Sequence, residues 1–404
     1  MQKHDAVIIG AGPAGLNAAI ALRKHDLNVL VIDEFPHLGG RLLGQLHEEP
    51  NGEWWNGIKE AEKLVNEAKA LNTEMLTNVS VHHIQRKDGA FVVHTNRKNY
   101  EAKNVLIATG AAETANPIPG WTLPGVMTIG AAQVMTNVHR VRVGEKGIVI
   151  GVNVLAAAIA RELLLAGIRL HSLALPINNA VTDEQSHPKM VMERLSRIAH
   201  LAPSPLLRFG GKFAKYKWAQ NIAVSFYPKK GINMWDVPIH LRKAVKEING
   251  TEQVESVTMV DITKDGEIIP GTEEEIPVDF VCIAGGLYPL AELAAVVGVP
   301  FKYVEPLGGH VPVHNEKMET PVEGVYVAGN ITGIESAKVA RAQGKVAGLS
   351  IAFRMKKDAA IQKEIEKAMD EVKTTRDNAT IQFHPEIARG RDDIHAQFNK
   401  YLNG

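Results

Sequence analysis

The sequence has little that would support several common functions. It contains one cysteine, Cys282, in 404 residues. A single cysteine excludes an intrachain disulfide, a CxxC redox pair and a four-cysteine cluster within this sequence. Charge of one sign is not in excess: 45 Lys and Arg balance 45 Asp and Glu. A general electrostatic nucleic-acid binder would carry a basic surplus. Aromatic residues make up only 5%, which speaks against a stacking-rich carbohydrate or single-strand surface. No apolar run reaches the ~18 residues of a membrane span. No signal-peptide pattern precedes the first apolar run, so a soluble, cytoplasmic protein is expected. The 16 histidines show no HExxH pattern, and no metal site is expected. No Ser/His/Asp arrangement stands out, and no catalytic base can be nominated.

The length suggests two or three domains at ~150 residues each. The first 34 residues are the most informative. Ala6–Ile9 reads as a buried strand, Gly10-Ala11-Gly12-Pro13-Ala14-Gly15 as a turn, and Leu16–Lys24 as a helix. Val29–Ile32 is a second strand, ending at Asp33-Glu34. In such a unit the first glycine permits the tight turn, the second lets a pyrophosphate approach the backbone, and the third lets the helix pack on the strand. The helix N-terminus holds the phosphates. Asp33 lies 23 residues beyond Gly10, where a carboxylate can take ribose hydroxyls. The pattern predicts a dinucleotide site.

A second unit begins near Lys146. Ile148–Ile150 reads as a strand, Gly151 as the turn, Leu155–Ala166 as a helix capped by Gly167, and Arg169–Leu175 as the next strand. Counted from the glycine, Gly12 matches Asn153, Gly15 matches Ala156 and Asp33 matches Ala174. The fold unit repeats while its phosphate chemistry is eroded. Asn153 crowds the pyrophosphate position, and no acid ends the strand. Binding of NAD(P) there is doubtful.

Residues 199 to 240 alternate basic and aromatic side chains, including Arg208, Phe213, Lys217, Trp218, Phe226, Tyr227 and Lys229. With zero net charge, a solvated helix with a buried aromatic side is expected rather than a nucleic-acid surface. Trp54-Trp55 reads as the start of a helix. Lys356–Arg376 reads as a charged helix with an apolar stripe at Ile361, Ile365, Met369 and Val372. The last ~28 residues carry no interpretable motif.

Four blocks together make the sequence resemble the two-dinucleotide-domain flavoproteins, the group of thioredoxin and glutathione reductases. They are Gly10–Asp33, Gly39-Gly40-Arg41-Leu42, Ile107-Ala108-Thr109-Gly110-Ala111 and Gly324-Val325-Tyr326-Val327-Ala328-Gly329-Asn330. The resemblance implies an α/β fold of two Rossmann-like, three-layer ββα dinucleotide-binding domains plus a helical C-terminal tail. It places a discontinuous FAD domain at 1–115 and 286–355, an inserted NAD(P)-binding-like domain at 116–285, and the tail at 356–404. It assigns FAD contacts to Gly10, Gly12, Pro13, Ala14, Gly15, Asp33, Glu34, Gly40, Arg41, Leu42, Val81, Ala108, Thr109, Gly110, Gly329, Asn330, Lys338 and Val339. Val81 would pair its backbone with adenine. A helix beginning after Gly333 would aim its positive N-terminus at the flavin pyrimidine ring. Arg41 would steady flavin or pyrophosphate charge, or else form a surface salt bridge. Asn330 departs from the family's usual Asp; its oxygen can still accept from a ribityl hydroxyl, without charge assistance.

A narrower resemblance rests on Pro119-Gly120-Trp121-Thr122-Leu123-Pro124-Gly125-Val126-Met127, Gly130-Ala131-Ala132-Gln133 and Gly308-Gly309-His310-Val311-Pro312-Val313. These are similar to flavoprotein subunits of multi-subunit amine and imino-acid dehydrogenases. That group includes hydrogen cyanide synthase, opine oxidase, proline and hydroxyproline dehydrogenases and the sarcosine oxidase α chain. The resemblance implies an electron-relay subunit in a hetero-oligomer, together with an iron–sulfur subunit plus a partner flavoprotein subunit. Many members carry a cysteine-rich segment near the C-terminus that resembles a [2Fe-2S] site. This sequence has none, so a cluster or second flavin would sit on a partner. Two rival readings stand beside it: a stand-alone NAD(P)H-dependent flavin oxidoreductase, and a non-catalytic nucleotide-binding scaffold subunit.

Overall fold

A computed structural model describes residues 2–49, 52–197, 222–234, 237–379 and 381–403. They fall into two units. Unit 1 comprises Met1–Leu43, Asn56–Ala112 and Leu287–Gly404; unit 2 comprises Gly44–Trp55 and Glu113–Gly286.

Unit 1 opens with strand β1 (Lys3–Ile9), helix α1 (Pro13–Lys24) and strand β2 (Val29–Ile32). All four residues of β2 are buried, as expected of a parallel strand covered on both faces. Helix α2 (Gly57–Ala70) follows, then β3 (Glu74–Leu76) and a meander of β4 (Val81–Lys87), β5 (Ala90–Thr95) and β6 (Tyr100–Ile107). The sheet order is β3-β2-β1-β6-β5-β4. β1 runs parallel to both β2 and β6, with Ile9 beside Ile32 and Ile107. The three strand ends nearest the glycine turn are thereby brought together.

Unit 2 repeats the pattern. It contains β7 (Val126–Thr128), α3 (Ile129–Asn137), β8 (Lys146–Ile150), α4 (Val154–Leu165), β9 (Arg169–Pro176), β10 (Val237–Asn249), β11 (Ser256–Asp261), β12 (Glu274–Pro277) and β13 (Phe280–Ile283). The order is β7-β13-β8-β9-β10-β11-β12. The Pro119–Val126 block braces this unit: Pro119 and Pro124 carbonyls accept from Ile248 and Val254 N–H at 2.9 Å each.

The chain returns to unit 1 with β14 (Val325–Val327), parallel to β6. Helices α5 (Ala337–Lys356), α6 (Ala359–Asp377) and α7 (Ile387–Asn403) follow. α5 lies against α1 at small residues. A Cβ on Gly344 would fall 2.0 Å from the Ala14 carbonyl oxygen, and one on Gly348 2.6 Å from that of Ala18.

Three local expectations need correction. Trp54-Trp55 does not start a helix; Trp54–Asn56 is a strand paired with Leu46–Glu48. The helix starts at Gly57 because the Asn56 side chain caps it, accepting from Lys59 N–H at 3.2 Å. The charged helix expected from Lys356 is interrupted there. Lys357 takes a left-handed conformation, and the Asp358 carboxylate caps a new helix through Ala360 N–H at 2.8 Å. Its buried stripe is Ile361, Ile365, Ala368 and Val372; Met369 is only half-buried. The final stretch, unread in the sequence, contains α7. Arg208, Phe213, Lys217 and Trp218 of the basic-aromatic stretch lie outside the described residues. Within them, Tyr227 is buried and donates to the Ile239 carbonyl at 2.6 Å, while Phe226 is exposed.

Candidate dinucleotide site

The first glycine turn is built for close approach. Gly10 has φ +103°, and a Cβ there would meet the Ala108 carbonyl oxygen at 2.4 Å. A Cβ on Gly15 would stand 1.9 Å from the Gly10 carbonyl oxygen. Those positions admit only glycine. Gly12 differs: a Cβ there would meet nothing within 4 Å. Gly12 is also the N-cap of α1, and no side chain caps that helix. Pro13 occupies the first helical turn, where its missing N–H costs nothing. The result is an open concavity facing uncapped helix N–H groups, the arrangement that takes a phosphate.

Asp33 closes one side. Its carboxylate accepts from Ala11 N–H at 2.6 Å and from Phe35 N–H at 2.8 Å. Burial raises its pKa, against the lowering by those two N–H groups. Glu34, next to it, is exposed. The loop at Gly39-Gly40 crosses the turn: Gly39 N–H donates to the Ala11 carbonyl at 2.9 Å, and a Cβ on Gly40 would lie 2.9 Å from the Gly12 Cα. Leu42 is buried in the following 3-10 turn. Arg41 is exposed, and its guanidinium rests on the Ala111 carbonyl through Nε and Nη2 at 3.1 and 3.0 Å.

Two other segments reach the same turn, at Ala108 and at Gly329. Ala108 N–H donates to the Ile9 carbonyl at 2.8 Å, and the Thr109 hydroxyl donates to that of Leu290 at 2.5 Å. Gly110 faces open space. A Cβ on Gly329 would lie 3.0 Å from the Ala14 Cβ, so the Gly329–Asn330 block abuts α1 directly. Gly329 N–H donates to the buried Gln343 Oε1 at 2.9 Å. The Asn330 side-chain oxygen accepts from Glu335 N–H at 3.3 Å. Helix α5 begins at Ala337, with the Ser336 hydroxyl accepting from Val339 N–H at 3.3 Å. Val339 is buried and Lys338 exposed. Val81 starts β4, paired with Thr95.

The turn of unit 2 repeats the positive φ of the first glycine and has a different filling. Gly151 has φ +112°. At the place of Gly12 stands Asn153, the N-cap of α4. Its Oδ1 accepts from Ala156 N–H at 2.8 Å, and its Nδ2 donates to the Ala284 carbonyl at 3.2 Å. The side chain thus occupies the cradle and satisfies helix groups that a phosphate would otherwise take. The match of Asp33 with Ala174 is corrected by one residue. Gly10 N–H bonds the Ile32 carbonyl, and Gly151 N–H bonds that of Ala174, each at 2.8 Å. The residue equivalent to Asp33 is therefore Leu175, fully buried. A bulge between Gly147 and Val149 inserts the extra residue into β9. Either way no carboxylate stands there.

Several polar groups were missed in the sequence. Glu162, inside the apolar helix α4, is buried. It accepts from Gln133 Nε2 at 2.9 Å, Asn137 Nδ2 at 2.6 Å and Leu46 N–H at 3.2 Å. Burial pushes its pKa up to about 7 despite those donors. An acid among Ala and Leu was the signal that could have found it. Glu335, Arg376 and Arg391 form a second cluster, with no comparable local signal. Cys282 is fully buried in β13, and burial pushes its thiol far up; it is inert.

The sequence matches the pyridine nucleotide-disulphide oxidoreductase family over residues 4–202 and 223–344. The chain belongs to that family. As a pyridine nucleotide-disulphide oxidoreductase it is a flavoprotein, and membership implies FAD. The open turn of unit 1 fits that cofactor: nothing lies within 4 Å of the Gly12 Cβ position, and no side chain caps the helix that starts there. An opine oxidase subunit from Agrobacterium tumefaciens (strain Ach5) is 25% identical over 363 residues, 86% of this chain and 65% of that relative. Hydrogen cyanide synthase subunit HcnB of Pseudomonas protegens is 23% identical over 381 residues, 89% of this chain and 73% of the relative. The structure of L-proline dehydrogenase from P. horikoshii matches with TM-score 0.63 and 23% identity, over 90% of this chain and 59% of that one. This flavoprotein therefore spans just under two thirds of the opine oxidase relative's length. No helix among the described residues is long and apolar enough to cross a membrane.

Proposed function

We propose that this flavoprotein is the electron-relay subunit of a hetero-oligomeric amine or imino-acid dehydrogenase or oxidase, of the proline, hydroxyproline, opine or sarcosine type. The observation that carries the reading is the contrast between the two turns. Gly12 is open, whereas Asn153 fills its own cradle. A chain that keeps one nucleotide site and closes the other has no evident route for electrons from NAD(P)H. With a single cysteine it has no dithiol to receive them either. A donor on another polypeptide supplies what is missing. Two relatives bear names of enzyme subunits, which supports an assembly.

FAD supplies the two-electron chemistry when bound. This chain's own residues bind and orient it. The α1 N-terminus at Gly12, Pro13, Ala14 and Gly15 faces the pyrophosphate, and Asp33 the ribose. Gly40, Arg41, Thr109, Gly110, Gly329 and Asn330 border the same turn. Oxidation of the CH–NH donor takes place on a partner flavoprotein subunit in a cytoplasmic complex, with a second flavin or a [2Fe-2S] cluster on partner chains.

The test is an anaerobic visible spectrum of the purified chain before and after NADH and NADPH. A flavin band that stays unchanged is the expected result. Prompt bleaching would replace this reading with the stand-alone NAD(P)H-dependent flavin oxidoreductase. A bound flavin that no donor or partner ever reduces would leave the scaffold reading.

A further inference from the structure

Glu335 stands in the loop between the 3-10 turn Asn330–Thr332 and helix α5, one residue before the cap Ser336. Its N–H holds the Asn330 side chain. Its carboxylate is only 10% exposed. Two arginines from the tail close on it. Arg376, at the end of α6, donates from Nε to both carboxylate oxygens at 3.0 and 3.2 Å, and from Nη2 at 2.7 Å. Arg391, in α7, donates from Nη1 at 2.9 Å. Both guanidinium side chains are largely buried, 19% and 17% exposed.

One bidentate arginine neutralises and orients a buried carboxylate. A second brings another cation into a site where charge is costly to bury. Burial, and the neighbouring Arg376, hold Arg391 below the usual arginine range. Asp377 and Asp392 also act on Arg391. Both are exposed, so solvent screens them. Two buried cations on one acid exceed what fixing a loop requires. They lie beside the N-terminus of α5, which is already the positive end of its helix.

We infer that tail helices α6 and α7 position and charge the flavin-facing end of α5. Arg376 and Arg391 fix the loop through Glu335 and hold positive potential that favours the reduced, more negative form of the flavin. The inference rests on the reading that unit 1 binds FAD with this helix end at the ring. Glu335, Arg376 and Arg391 act as positioning residues.

The experiment is an anaerobic redox titration of the full-length holoprotein against dyes of known potential, with melting temperature measured in parallel. Arg391→Gln removes one cation and leaves Glu335 paired with Arg376. The reduced-to-oxidised ratio at fixed poise should fall about three- to tenfold, the size of one unit charge acting through partly solvated protein. Arg391→Lys should keep the ratio close to wild type. Should Arg391→Gln not fold, Glu335→Gln tests the opposite sign, because both cations remain and the ratio should rise. A lowered melting temperature with an unmoved ratio would make the tail merely structural and overturn the inference. Wild-type protein that takes up no FAD would instead overturn the functional reading, and this inference with it.

Discussion

The two glycine turns share a strand–turn–helix frame and differ most at the helix N-cap. In unit 1 the helix N-cap is Gly12, with nothing near its Cβ position and no cap from the protein. In unit 2 the N-cap is Asn153, whose amide bonds Ala156 N–H and the Ala284 carbonyl. A helix N-terminus leaves N–H groups that need a partner. The first turn leaves them without a side-chain cap; the second supplies one internally. The lesson is that one strand–turn–helix frame can carry either an open helix N-terminus or one capped from within.

The strongest way to break the comparison is to give the first turn the cap of the second. Gly12→Asn has room for its side chain and should fold. FAD affinity should drop at least about a hundredfold, or roughly 2.7 kcal/mol. The melting temperature of the FAD-free chain should hold or rise, because a cap has been gained. Flavin retention on a desalting column and a thermal melt check both halves. Unchanged FAD retention would mean that the open cradle is not the pyrophosphate site.

The next largest effect is expected from a contrast between a half-buried and a buried carboxylate. Asp33 is held by backbone N–H groups at the open turn, and Glu162 by side chains and one N–H of its own unit. The folded pKa of Glu162 is raised to about 7 from 4.5. Its contribution is therefore fully present below about pH 4.5 and is lost as pH rises through about 7. Glu162→Gln places an amide against donors and should be less stable than wild type at pH 5. The gap should narrow by about 2–3 kcal/mol on going to pH 8. Denaturant curves at the two pH values measure it. A gap independent of pH would show that Glu162 is ionised throughout.

The smallest effect is expected at the second turn itself. Asn153→Ala removes the cap and should cost about 1 kcal/mol of stability. NADH and NADPH should still not reduce the flavin, because Leu175-Pro176 offers neither an acid for an NADH ribose nor an arginine for an NADPH 2′-phosphate. A thermal melt and the same anaerobic spectrum decide it. Reduction by NADPH in this variant would show that Asn153 alone had closed the site.

Much of the first turn was legible because its chemistry is local. Gly10, Gly12, Gly15 and Asp33 stand within 24 consecutive residues, and each glycine acts on backbone a few positions away or on an adjacent strand. Asn153 was legible as an intruder at the Gly12 position, though it acts by capping as well as by crowding. The equivalence of Asp33 was misread by one residue because a bulge in β9 leaves no mark on a count from the glycine. Trp54-Trp55 was misread because the cap that starts the helix, Asn56, lies after the tryptophans.

By itself the sequence determined two Rossmann-like units, one with glycine and one with asparagine at the helix N-cap, and the absence of a dithiol. Those conclusions need only short-range spacing and composition. Only the tertiary structure decided where the arginines of the tail go. Arg376 and Arg391 reach Glu335 from 41 and 56 residues away. A charged residue on an amphipathic helix reads as solvent-facing until its partner is known, and the partner was set by how α6 and α7 pack, not by any local pattern.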